Sequence, residues 1–154
     1  DIFNFTSGGY KSMKFRNVNS DGSAAQTTGF VDTDFPLFRA ADAYLMLAEC
    51  AARGAADKTK GLDALNAVRD RAGIAALSSF DAQDVLDERG RELLWEGHRR
   101  SDLIRFGQFT TADYLWEYKG SVKEGVAVAD YRNLFPLPPA DVNANSNLKQ
   151  NAGY

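Results

Sequence analysis

The chain of 154 residues has one cysteine, one histidine and four prolines, and it lacks any long apolar run. A lone Cys50 rules out an internal disulfide and leaves the redox compartment open. His98, the one histidine, supports neither a catalytic triad nor a metal site by itself. The serines lie in no nucleophile elbow, and no glycine-rich loop follows a strand to cradle a phosphate. Nothing approaches the roughly 20 apolar residues needed to span a bilayer. Charge of one sign is also missing: 18 basic residues face 21 acidic ones, a net charge of −3, and the basic side chains are scattered among acids. That gives no electrostatic reason to expect nucleic acid, which would want a clustered basic surface. The chain opens Asp1-Ile2-Phe3, with no initiator Met, basic n-region or apolar h-region. It is therefore expected to be a piece of something longer, with any targeting signal upstream.

What is present is a globular composition, 44% hydrophobic and 25% charged, in one domain's worth of chain. Two regions are expected. Residues 1–35 are loop-rich, as in Thr6-Ser7-Gly8-Gly9 and Asn19-Ser20-Asp21-Gly22-Ser23, with Met13-Lys14-Phe15 as a candidate edge strand. Residues 36–154 form a helical region that begins after Pro36.

Between Phe38 and Arg53 the residues Phe38, Ala41, Leu45, Ala48 and Ala52 recur at spacings of three and four, the mark of a buried helical face. Tyr44, Leu47 and Ala51 widen that face, which predicts packing on more than one side. Cys50 falls on the same pattern as a small core residue. Arg39, Asp42, Glu49 and Arg53 line the polar side. Gly54 stops this helix, and a second follows over Lys58–Arg71 with Gly61, Leu65, Val68 and Ala72 inward and Gly73 as its stop. The short connection makes the two helices antiparallel neighbours, and Ala48, Ala51, Gly61 and Ala64 allow close approach. The pair has the size of a tetratricopeptide repeat.

A third helix should start at the N-cap Asp81, with Asp84 in its first turn, and run to Trp95 before Gly97. A fourth covers Arg99–Phe106, up to Gly107. Gly90 inside the third helix costs about 1 kcal/mol relative to Ala, which suggests that another backbone packs against it. Residues 108–133 show no period. Phe135-Pro136-Leu137-Pro138-Pro139 cannot be helix interior, and Pro139 suits the first turn of a short helix over Ala140–Asn145. The fold class is thus mainly α: antiparallel helix pairs of tetratricopeptide-like type with long loops.

Two sets of residues carry chemistry. Glu88, Glu92 and Glu96 share one stripe at i, i+4 and i+8, a pattern that a metal site or an acid/base pair could use. Ferritin-like sites need Glu-x-x-His pairs, which His98 does not supply, and glycoside hydrolysis needs two carboxyls facing across a sugar. Between Asp87 and Arg105, however, five acids (Asp87, Glu88, Glu92, Glu96, Asp102) meet five arginines (Arg89, Arg91, Arg99, Arg100, Arg105). Arginine pairing makes a carboxyl a poor general acid. Glu88, Arg89, Arg91, Glu92, Glu96, Arg99, Asp102 and Arg105 are accordingly expected to form a structural ion-pair network. The aromatic residues Tyr114, Trp116 and Tyr118, with Tyr131, fall in the aperiodic segment. Exposed rings suit sugar recognition, because the apolar face of a pyranose stacks on an aromatic plane; folding back as a satellite core is the competing role.

These segments spell a pattern. Arg39-Ala40-Ala41-Asp42 with Leu45-Met46 and Ala48-Glu49 resembles the helix that reads R-x-A-D…L-M…A-E in SusD/RagB-like proteins. Leu65–Gly73 is similar to their N-x-V-R-x-R-A-G segment. Glu88–Leu93, Glu96–Arg99 and Asp102–Gly107 resemble E-R-x-x-E-L…E-G-x-R…D-L-I-R-W-G. Phe135-Pro136-Leu137-Pro138, Asn145, Leu148, Gln150-Asn151 and Gly153-Tyr154 resemble the closing F-P-I-P…N-P…Q-N-P-G-Y. Ala40, Phe106, Ser146 and Ala152 depart from the pattern without touching the charged block. The resemblance implies the C-terminal portion of an outer-membrane lipoprotein. Such a protein faces the cell exterior, is lipid-anchored through an upstream segment, and binds oligosaccharides or other nutrients beside a SusC-like TonB-dependent transporter. It implies no catalysis and no cofactor, and assigns no sugar-binding residue, so Tyr114, Trp116 and Tyr118 rest on their chemistry alone. A helical-repeat module that contacts only protein is the alternative, and a glycosidase using the glutamate stripe is a third.

Overall fold

The computed structural model describes residues 14–27 and 29–154, and the chain divides into two compact units, Asp1–Arg39 and Ala40–Tyr154. In the first unit Val18 and Ala24 make an isolated antiparallel bridge. The Asn17 amide donates to the Phe30 carbonyl at 3.0 Å, while its oxygen accepts from the Asp32 amide. Lys14 and Phe15 lie in a bend rather than in the expected edge strand. Met13 and the Thr6–Gly9 loop lie outside the described residues.

The second unit contains five α-helices: α1 (Ala40–Ala52), α2 (Lys58–Arg71), α3 (Ala82–Glu92), α4 (Arg99–Arg105) and α5 (Pro139–Ala144). Single 3-10 turns occur at Lys119–Ser121 and Asp130–Asn133, and no strand occurs among the described residues. α1 packs most extensively on α2, α3 crosses α1, and α4 lies on α3.

Local signals explain most of these boundaries. The Asp57 side chain accepts from the Lys60 amide at 2.8 Å and so caps α2. Asp81 and Asp84 form a reciprocal capping box at the start of α3. α2 ends in a Schellman motif: Gly73, at φ 70°, donates to the Asp70 carbonyl, and Ile74 donates to that of Arg69. The same bond pattern closes α1 at Gly54 and α4 at Gly107. Pro139 begins α5 at its first position, where its missing N–H leaves no bond unmade.

The core between α1, α2 and α3 is built from Leu45, Ala48, Ala51, Leu65, Val68, Phe80 and Val85. Complete burial of Leu45 and Leu65 contributes about 1.5–3 kcal/mol each. Gly61 sets the closeness of α1 and α2. A Cβ there would collide with the Ala51 methyl and lie 3.0 Å from the Phe80 ring. The loop into α3 is clamped by Asn66, whose amide exchanges two bonds with the Leu77 backbone at 2.8 and 2.9 Å.

The structure corrects several expectations. α1 starts two residues after Phe38, which is 90% exposed. Cys50 is also exposed; it follows Ala48 by two residues and so points roughly 200° around the helix from it. Tyr44, Met46 and Leu47 share that outward surface, so among the described residues α1 packs through one side only. Ala72 caps α2 from an exposed position instead of lying in its stripe. α3 ends at Glu92 rather than Trp95, and Leu94 and Trp95 project into solvent, Trp95 with φ 66°. This early reversal folds α4 back along α3.

Candidate binding surface

The charged block is a tertiary brace. Buried Arg89 of α3 donates from Nη1 to Asp42 Oδ1 of α1 at 2.7 Å. Its Nε lies 2.9 Å from Asp102 Oδ1 of α4, paired by distance but not aligned for a hydrogen bond. Asp102 is 1% exposed, and its Oδ2 has no partner among the described residues. Arg105 then bridges Asp102 at 2.8 Å and grips Glu49 of α1 with two 2.8 Å bonds. Arg53 also donates to Glu49 at 3.0 Å. Burial alone would raise the Glu49 carboxyl, but the bonds and charges of Arg105 and Arg53 outweigh it and hold the group below its ordinary range. Arg105 is correspondingly raised, first by its bond to Glu49, against partial burial.

A second group ties α3 to α2. Glu88 accepts from Arg69 and Arg91 at 2.8 Å each, and Arg71 pairs with Glu92. Glu96 is buried on the turn beyond α3. The expected balance within residues 87–105 is therefore only part of the picture, since Asp42, Glu49, Arg69 and Arg71 supply partners from α1 and α2. Among the described residues Arg99 joins no ion pair. Its Nη1 donates to the Leu86 carbonyl at 2.7 Å, and its guanidinium covers Gly90, with Nη1 3.0 Å from where a Cβ would stand. Gly90 thus makes room for a guanidinium, not for the backbone that was expected.

The aromatic residues gather on the other side of α4. Tyr114 and Trp116 are brought together, 6.2 Å between ring centres, and Trp116 also stacks on Phe109 at 5.9 Å. Arg99 lies 4.6 Å over the Tyr114 ring. Arg100 has Phe109 at 5.0 Å and Phe135 at 3.8 Å. Tyr118 is outside this stack, on an exposed turn with φ 65°. Tyr131 packs edge-on against Tyr154 at 4.8 Å.

Lys119 anchors the loop that carries Tyr114 and Trp116. It is 2% exposed, and its ammonium donates to the Thr111 and Tyr114 carbonyls at 2.6 and 2.7 Å beneath the Trp116 ring. Burial pushes the group below the usual lysine range, with the charge of Asp113 opposing.

Three hollows share Arg100. The largest, about 550 Å³, lies between α3 and Tyr114 and has the exposed Trp95 on its rim. A second of about 280 Å³ runs over Tyr114, Phe109 and Trp116. The third, about 240 Å³, is walled by Phe109, Trp116, Phe135 and Tyr154. The surface combines flat apolar rings with guanidinium edges and contains no group of three or more His, Cys, Asp or Glu placed to hold a metal among the described residues.

The sequence profile of the SusD family matches residues 1–154. The chain belongs to the SusD family. It is 44% identical over 99% of its length to the starch-binding protein SusD of Bacteroides thetaiotaomicron, of which it spans 27%. Its fold matches the surface glycan-binding protein A of Bacteroides uniformis with a TM-score of 0.65 at 30% identity, covering 77% of this chain and 27% of that one. The corresponding protein of Bacteroides thetaiotaomicron matches with a TM-score of 0.67 at 25% identity, over 79% of this chain and 25% of the other. Within this SusD-family chain, the block with the most characteristic wording, Glu88–Gly107, is the one that ties α1 to α4. Sequence reasoning missed Phe109, Phe135, Tyr154, Arg100 and Lys119 as parts of the aromatic surface. The rings sit at no common period, and only their approach in space unites them.

Proposed function

We propose that this chain is part of a glycan-binding component of an outer-membrane nutrient-uptake complex. The reading places the protein on the outer face of the cell, lipid-anchored, working beside a SusC-like TonB-dependent transporter and performing no catalysis. The observation that carries it is the 44% identity to a protein named for starch binding, found together with a cluster of neighbouring rings, Phe109, Trp116 and Tyr114. The two structural relatives, both surface glycan-binding proteins, support the same class. A sugar ring would lie on Trp116 or Tyr114, and its hydroxyls would meet the guanidinium edges around them. Tyr118, set apart on its turn, fits the periphery of such a site.

The test is isothermal titration of the full-length protein with a panel of oligosaccharides, comparing Trp116→Ala with the parent. Loss of one stacking platform should weaken binding about tenfold, the equivalent of about 1.4 kcal/mol. Unchanged affinity in Trp116→Ala would remove the proposed site, and a blank panel for the parent would remove the function.

A further inference from the structure

The arginines of the helical unit fall into two populations. Arg53, Arg69, Arg71, Arg89, Arg91 and Arg105 each pair with a carboxylate. Among the described residues Arg99, Arg100 and Arg132 do not; their partners there are backbone carbonyls and rings. Arg99 and Arg100 lie over Tyr114, Phe109 and Phe135, and Arg132 lies 5.6 Å over Tyr131. Each borders at least one of these hollows, and among the described residues the one walled by Trp116, Phe135 and Tyr154 is lined by Arg100, Lys119 and Arg132 with no acidic residue, while Asp87 lines the largest. In a chain of net charge −3, this is a local concentration of positive charge beside exposed aromatic surface. Phe135 is 67% exposed there, so its ring is open to a ligand.

We infer that this groove takes an acidic unit of an oligosaccharide, a uronate or a sulfated sugar, with Arg132 and the free edge of Arg100 meeting the negative charge. The inference rests on the glycan-binding reading and adds the charge class of the ligand. Arg100 is pre-set for such a role: its Nη2 is fixed by the Arg132 and Asn133 carbonyls at 2.9 and 3.2 Å, and Phe135 lies against its plane at 3.8 Å. A guanidinium held in this way loses little freedom when it bonds a carboxylate or sulfate. A neutral sugar would leave two guanidinium groups with no counter-charge. Lys119 is already committed to two carbonyls, and so adds field rather than a contact. An acidic peptide shares the charge but has no pyranose face to lay on Trp116.

The test titrates the full-length protein with neutral α-1,4-, β-1,3- and β-1,4-glucan oligosaccharides and with the same compounds oxidised to uronates at C6. One oxidised form should bind about tenfold more tightly than its neutral parent, as a charge-assisted arginine contact allows. The preference should shrink as salt rises from about 25 mM to about 500 mM, because the Debye length shortens. Arg132 is exposed, so Arg132→Gln should melt with the parent, and it should lose the preference for the oxidised form. Arg132→Lys should retain part of it. Equal or tighter binding of the neutral form overturns the charge assignment and leaves the glycan reading intact. Binding to neither form overturns both, and preferential capture of a polyglutamate peptide overturns the sugar assignment.

Discussion

Arg89 joins three helices through two buried carboxylates, so it is the residue whose loss the fold should feel most. Arg89→Met keeps much of the side-chain volume and removes the charge, leaving Asp42 and Asp102 buried without their shared counter-ion. Breaking a buried pair in this way costs about 3–5 kcal/mol, because Asp42 loses its cation while buried from water and Asp102 keeps only its bond to Arg105. At about 3 °C per kcal/mol for a chain of this size, the melting temperature should fall by about 10–15 °C. Thermal unfolding followed by circular dichroism measures this directly. Adding Asp42→Asn should recover about 1–2 kcal/mol, since it removes the stranded charge. A fall below about 3 °C, or no recovery in the double variant, would refute the claim that Arg89 holds the helices by buried ion pairing.

Three further outcomes follow from the same geometry. Gly61→Ala forces α1 and α2 apart at Ala51 and Phe80, and should cost about 1–3 kcal/mol by overpacking, read as a lower denaturant midpoint. Glu49→Gln should cost about 1.5–3 kcal/mol at pH 7, where the depressed carboxyl is ionised and bound by Arg105. That contribution exists above the unfolded glutamate value of about 4.3 and is lost as pH falls through the lower folded value, so the gap between variant and parent should close below about pH 4; a constant gap from pH 7 to 3 would contradict the assignment. Lys119→Met leaves the Thr111 and Tyr114 carbonyls without their donor, and should raise acrylamide quenching of tryptophan fluorescence while shifting the melting temperature by less than Arg89→Met does.

What was legible in the sequence was local. The bounds of α2, the Asp81 cap and the stops at Gly54, Gly73 and Gly107 depend on side chains within four or five residues of the backbone groups they satisfy. The end of α3 was not legible, because nothing between Leu93 and Gly97 forbids a helix; the chain turns there because α4 must return over Gly90. Cys50 was misplaced by a face drawn too wide, since a spacing of three or four admits residues from both flanks of the true stripe, whereas Phe38 is in register with the stripe but precedes the start of α1 at Ala40. The charge count found a balanced block, but its partners sit at separations sequence cannot weigh: Arg89 and Asp42 are 47 residues apart, and Arg105 and Glu49 are 56. The aromatic surface was partly visible as Tyr114 and Trp116. Arg100, Phe135 and Tyr154 joined it only through the way α4 and the closing segment fold together.

The two arginine populations meet in α4, and this links the brace to the groove. α4 has seven residues, too few to hold a helix in water unaided. Its position is set by burial of Leu103 and Asp102 and by the double grip of Arg105 on Glu49. Arg99 and Arg100 begin the same helix and stand over Tyr114, Phe109 and Phe135. Any shift of α4 relative to α1 therefore moves the cations against the rings. The paired arginines contribute stability, and through α4 they also fix where the unpaired ones stand. The carboxylates that pair with the charged block thus hold the edge of the aromatic surface in place.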